Sequence, residues 1–275
     1  MGGTSAHQPE ETPRRVADLL SPREPIPPGL YITLSLGSFA VVLVVWSILT
    51  YGGLVDALFL PTPGRVFQSG LDLFLEFEFT FDILNSAYRV MVGFLAAAVI
   101  GVPLGLIMGT FRAAEALTEP VVGFIRYMPA SAFIPLFILW LGIGDIEKIA
   151  IIFVGSFFQL VLMVAVVAKN VPMDMLETAY TLGAGRFQVI RRVLLPASLP
   201  GILDTLRIIV GWAWTYIIVA ELVASASGIG YMIISAQRML RTGSIIFGIL
   251  TIGTMGLVTD YFFKWLYRRL FPWAE

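Results

Sequence analysis

Ser131, Ser156, Gln159, Trp212, Thr215 and Tyr216 are polar side chains set inside long apolar runs of this sequence. Their chemistry is that of hydrogen-bond donors and acceptors: hydroxyls, an amide, an indole N–H and a phenol. None stands beside a base that could make it a nucleophile. The chain has no cysteine and a single histidine, His7, in a polar stretch near the start. Cysteine nucleophiles, thiolate metal sites and disulfides are therefore excluded, and an intramembrane enzyme would lack a converging catalytic set. A serine in a helix commonly bonds back to its own backbone, which gives Ser131 and Ser156 a structural reading. Gln159 cannot satisfy its amide that way, so it is the strongest candidate to line a solute route. Trp212, Trp214, Thr215 and Tyr216 would add donors from one later segment.

A second group of residues is polar for a different reason. The stretch ETAYTLGAGRFQVIRRVLLP, residues 177–196, is the longest polar interruption in the second half of the chain. Asp174 and Glu177 have the spacing of a capping box for a helix starting near Met175. Gly183 supplies a stop, because a residue without Cβ can turn left-handed. A second short amphipathic helix follows over Phe187–Leu195, with Phe187, Ile190 and Leu194 on one face. Pro196 and Pro200 then break the chain. Two short helices around a glycine turn make a docking element for a partner.

These residues must be held by membrane-spanning helices. The chain is 57% hydrophobic and 13% charged over 275 residues, about half the charge of an ordinary soluble domain. A net charge of −1 gives no basic face for nucleic acid. Charge-free intervals mark candidate bilayer spans at Tyr31–Tyr51, Val90–Phe111, Tyr127–Gly144, Ile149–Ala168 and Thr242–Thr259. The charge-free Ile208–Ala220 marks a further one, fifth in chain order, extending over about Leu203–Val223. The expectation is an all-α integral membrane protein with six spans. Residues 1–28 read as a flexible cytoplasmic tail, with a short helical turn over 14–20, and 29–275 as the membrane domain. The stretch 54–88 alternates apolar and acidic residues and is expected at the interface. With both termini inside, eleven Lys and Arg fall on the inner side and four on the outer, with Arg89, Arg126 and Arg207 near span ends. That places the loop over about 170–200, between the fourth and fifth spans, in the cytoplasm.

The same loop resembles the signature of ABC importer permeases: E-A-A, three residues, G, nine residues, I, one residue, L-P. Here Glu177, Thr178, Ala179, Gly183, Val193, Leu195 and Pro196 occupy those positions, with Thr178 for Ala and Val193 for Ile. The resemblance covers about residues 60–270. SAYRVMVGFLAAAVIGVPLGLIMG, MPASAFIPLFILWLGIGDIEKI and VASASGIGYMI are similar to the branch serving nitrate, sulfonate, taurine and bicarbonate. It implies a type I importer permease that catalyses nothing itself. ATPase subunits would dock on those seven positions, and a periplasmic or lipid-anchored binding protein would deliver a small anion. A homodimer in the bacterial inner membrane is also implied, surrounded by lipid. The chain lacks a G-x-x-x-x-G-K-[ST] loop, so ATP and Mg would be held by the partners.

Gly101, Gly105 and Gly109 form a small-xxx-small series expected to bring helices close. Glu221 is expected near the outer end of the fifth span, reaching water or an arginine. Asp260 is expected at an interface near Lys264. No span is expected to carry a fixed cation at mid-depth, so an anion would pass by hydroxyl, amide and indole donors without a tight charged site. The competing reading, an ion-coupled carrier or channel without an ATPase, would want a carboxylate or a broken helix at the membrane centre.

Overall fold

The computed structural model describes residues 26–223 and 225–273. The tail before residue 26, with His7 and the turn expected over 14–20, lies outside the described residues. Among the described residues every regular element is helical. The chain divides into two compact units, residues 1–57 and 58–275.

The first unit contains α1, Pro28–Tyr51. It carries no charge and is apolar on all sides, as a lipid-facing span must be. Gly52 caps it, and Gly53 turns the chain with φ +70°.

The second unit is organised around α3 (Phe79–Thr110), α6 (Asp145–Lys169) and α9 (Leu195–Leu222). Val90, Phe94, Ile152, Leu160, Ile209, Trp214 and Ile217 fill the space between them. Lipid is as apolar as these side chains, so close backbone approach and van der Waals contact must hold the helices together. The glycine series supplies that approach. A Cβ on Gly105 would sit 2.6 Å from the Val161 carbonyl oxygen, and one on Gly109 would sit 2.5 Å from that of Ala165. Helix α11 (Thr242–Leu270) packs on α9, and α10 (Ile229–Arg238) closes the end of the bundle remote from the 173–189 loop.

Among the described residues five helices are long and apolar enough to cross a membrane. Four of them run past the expected boundaries. Helix α3 starts eleven residues before Val90, α6 includes Asp145, Glu147 and Lys148, α9 starts at Leu195, and α11 continues to Leu270. The charges that bounded the expected spans are paired inside the protein, so the helices run through them. Arg207 bonds Asp260 at 3.0 Å between α9 and α11, and Asp260 bonds Lys264 at 2.6 Å, as its proximity in sequence led one to expect. The stretch 54–88 is largely helical. It forms α2 (Pro63–Glu76), whose Val66, Gly70 and Leu73 are buried on the bundle, and then the first turns of α3. The rings of Phe74 and Phe79 pack against each other and against Phe247 of α11.

The third expected span, Tyr127–Gly144, is not a straight helix. Helix α4 (Arg112–Arg126) and the segment Ala130–Leu141 meet at 85°. The segment is a 3₁₀ turn, Ala130–Phe133, followed by α5, Ile134–Leu141. Pro129 has no N–H and forces Met128 away from helical geometry, which is where the helix breaks. Gly142, at φ +75°, ends α5. Counted as one broken span, the pair raises the total to six.

Candidate functional site

The 177–196 segment folds as two short helices around a tight turn. Helix α7 spans Met173–Thr181 and α8 spans Arg186–Val189. Gly183 has φ +82°, its N–H bonds the Tyr180 carbonyl, and the Ala184 N–H bonds the Ala179 carbonyl. This paired closure uses up two free carbonyls at the helix end and fixes the direction of the chain. Gln188 reaches back to accept the Gly185 N–H at 3.0 Å.

The capping box expected from Asp174 and Glu177 does not form. Pro172 presets the backbone, so α7 begins at Met173 and Asp174 falls inside the first turn rather than before it. Thr178 instead bonds back to the Asp174 carbonyl at 2.7 Å, and the Glu177 side chain is exposed. No side chain of α7 is buried.

The expected break at Pro196 is also absent. Helix runs without interruption over Arg186–Leu222. A wide turn over Ile190–Leu194, in which the Leu195 N–H bonds the Ile190 carbonyl, prepares the helix for the proline. Pro196 then follows directly on this wide turn, and Pro200 lies further inside the helix. The wide turn also shifts which residues face inward. Val189 and Leu194 are buried and Val193 is half-buried, while Phe187, expected to share a face with Ile190 and Leu194, is 72% exposed. With Leu182 at 82%, it gives the loop an apolar outer surface.

Of the six candidates for a solute route, the structure brings three together. Gln159 of α6 with Trp212 and Tyr216 of α9 lines a cavity of about 140 Å³. Gly155 makes room for it, since a Cβ there would strike the Tyr216 ring at 2.7 Å. Ser131, in the 3₁₀ turn, and Thr215 are exposed and do not line this cavity. Ser156 is fully buried, and its Oγ does not make the expected bond to its own helix. Trp214 turns into the core, its indole N–H also unbonded among the described residues. Arg126 lines the same cavity from the break after α4. The bend thus sets a cation in the wall of this cavity.

A larger polar arrangement lies at the opposite end of the bundle from the loop, and the sequence reading missed it. Arg89 of α3 was placed near a span end, yet it is 5% exposed and joins three elements. Its Nη1 donates to Glu221 Oε1 at 2.6 Å and to the Ser227 carbonyl at 2.9 Å, and its Nε donates to Asp145 Oδ1 at 2.7 Å. Glu221, fully buried, also accepts from Ser86 Oγ and from the Gly230 N–H at the start of α10. Asp82 accepts the Gly228 N–H at 2.6 Å. Gly228, at φ +110°, lies so near that a Cβ would meet the Glu221 carboxylate at 2.3 Å. Glu221 thus finds its arginine within this chain rather than water. A buried ion pair holds only when its remaining donors and acceptors are satisfied, and here they are. The partners are 56 and 132 residues apart in sequence, so no local pattern announces them. The only signal was an Arg and a Glu bordering apolar runs.

Residues 101–272 match the family described as binding-protein-dependent transport system inner membrane component. The taurine transport system permease protein of Escherichia coli is 34% identical over 247 residues, 88% of this chain and 90% of that protein. The nitrate import permease protein of Synechocystis sp. is 31% identical over 244 residues, covering 86% and 88%. Among solved structures, the inward-facing methionine ABC transporter aligns with a TM-score of 0.62 at 21% identity, over 70% of this chain and 95% of that one. A bacterial ABC transporter that imports the acidic polysaccharide alginate aligns at 0.58 and 17% identity, over 88% and 98%. At those identities the likeness bears on the fold alone.

Proposed function

Since this chain belongs to the family of binding-protein-dependent transport system inner membrane components, we propose that it is the membrane permease of an ATP-driven importer of a small anion. Taurine, other sulfonates, nitrate and bicarbonate define the solute class, as in its relatives. A binding protein outside the inner membrane delivers the solute, and two copies of this chain enclose the path. ATPase subunits dock on the cytoplasmic loop through Glu177, Thr178, Ala179 and the turn at Gly183, while Val193, Leu195 and Pro196 tie that loop to α9. Both termini lie in the cytoplasm. The chain contributes two packing states, and the partners contribute hydrolysis.

The observation that carries this reading is the loop. It is folded by its own backbone bonds, contributes no α7 side chain to the core, and presents Leu182 and Phe187 outward. A helix so built gains little stability from its own protein and offers its whole surface to another. The test is uptake by proteoliposomes holding this chain with the ATPase and binding protein encoded beside it. Uptake should require ATP inside and all three components. Uptake by the chain alone, driven by an ion gradient, would establish a carrier instead.

Gly183 makes the docking claim testable in isolation. A Cβ there meets nothing within 4 Å, so substitution acts only through the backbone. Valine at φ +82° costs roughly 1–2 kcal/mol and favours another turn. Gly183→Val is expected to leave the chain inserted while lowering ATPase co-purification at least fivefold. Gly183→Asn, which tolerates the left-handed region, should stay within twofold of wild type. Equal retention in the valine variant would make the loop a passive linker.

A further inference from the structure

The small cavity at Gln159 does not stand alone. A second cavity of about 210 Å³ lies along α4 and α6, lined by Glu119, Gly123, Arg126 and Lys169 among others. A third, of about 1180 Å³, opens at the docking loop and is lined by Arg112, Glu119, Lys169, Tyr180 and Arg186 among others. Arg126 lines the first and second, and Glu119 and Lys169 line the second and third. Neighbouring cavities thus share walls from the centre of the unit to the loop, and each shared wall carries a cation.

The charges differ along the series. Arg126 is the one charged residue of the first cavity and pairs with no carboxylate among the described residues. Its guanidinium, at an exposed position, donates to the Tyr127 hydroxyl at 2.7 Å and lies over the Tyr127 ring, partners that carry no negative charge. Lys169 is already paired with Glu115, and Glu119 stands beside it. An unpaired cation beside an amide, an indole and a phenol attracts an oxyanion. In the following cavities carboxylates compete with the anion for the cations, Glu119 in the second and Glu115 with Glu119 in the third, so it is held more weakly there. A route needs that order, because a solute bound tightly at every step would not leave.

Resting on the importer reading above, we propose that Arg126 is the anion-binding step of the path. It takes the oxyanion head group in the Gln159–Trp212–Tyr216 cavity and passes it toward Lys169 and the loop. The break at Pro129 is what allows this, since it ends α4 at Arg126 and gives that side chain access to both cavities.

The experiment uses the assembled complex in proteoliposomes, with radiolabelled taurine, ethanesulfonate, nitrate and bicarbonate as probes. For whichever anion the wild type imports, Arg126→Gln should lower the maximal uptake rate at least tenfold. The half-saturating concentration should change less than twofold, because the binding protein sets it. Arg126→Lys should restore a third or more of the rate, and Gln159→Leu should lower it about threefold. Undiminished uptake in Arg126→Gln overturns the proposal. So does a glutamine variant that fails to assemble with the ATPase, or a lysine variant as inactive as the glutamine one, since a cation is then not what the position provides. A wild-type complex that imports none of the four overturns the importer reading and this inference with it.

Discussion

Glu221→Ala is expected to destabilise the protein more than any other single exchange of a polar residue described above. It leaves Arg89 buried with one carboxylate fewer and strips the Gly230 N–H and the Ser86 hydroxyl of their acceptor. Breaking a buried pair from one side costs about 3–5 kcal/mol, because the surviving charge stays desolvated. For a chain of this size that lowers the melting midpoint by on the order of 10 °C. Fluorescence-detected size exclusion after heating in detergent measures it. Glu221→Gln, which keeps the shape and much of the hydrogen bonding, should lose less. The double variant Arg89→Met with Glu221→Leu should be more stable than either single variant, since neither buried charge is then left without the other and Asp145, half exposed, can turn to water. A midpoint for Glu221→Ala within 2 °C of wild type, a resolution about a fifth of the expected shift, would show that the cluster is not a structural bond.

Gly105→Leu is the second large effect, with a different cause. The methyl of alanine alone would lie 2.6 Å from the Val161 carbonyl oxygen and 2.7 Å from the Val164 Cβ. Backbone cannot move aside as a side chain can, so α3 and α6 must separate along their shared seam. Overpacking of this kind costs about 1–3 kcal/mol for small additions, and leucine adds three more carbons. The variant should be recovered at well under a fifth of the wild-type yield as a monodisperse species, with Gly105→Ala between. Gly253→Ala in α11, where a Cβ meets nothing within 4 Å, should behave as wild type. If Gly105→Leu matched it, the close approach of α3 and α6 would be wrong.

Much of this architecture could be read from residue order, and the failures share one origin. The spans were located because apolar runs of bilayer length are unmistakable. The glycine series pointed to close packing, and Gly183 to a left-handed turn, because each depends on what a missing Cβ permits locally. Boundaries failed wherever a charge was taken as a marker of water. Arg89, Asp145 and Asp260 all lie within helices, because they find counter-charges on other helices. The third span failed for the complementary reason. Counting charges is blind to Pro129, whose effect is on backbone geometry. Arg126 was set aside as a span-end residue, and only the bend reveals that it lines a cavity with Gln159.

The uninterrupted helix from Arg186 to Leu222 has a mechanical consequence. Its 37 residues, at about 1.5 Å each, make a rod of about 55 Å. One end carries α8 and the Gly183 turn; the other carries Glu221 and, through it, Arg89 and α10. A rod amplifies rotation, so a tilt of about 5° at the loop displaces the far tip by roughly 5 Å. The Glu221–Arg89 bond, made at 2.6 Å, does not survive such a stroke unless α3 and α10 travel with it. Force applied at the loop is therefore delivered to the far mouth of the bundle as a displacement of three helix ends fastened together.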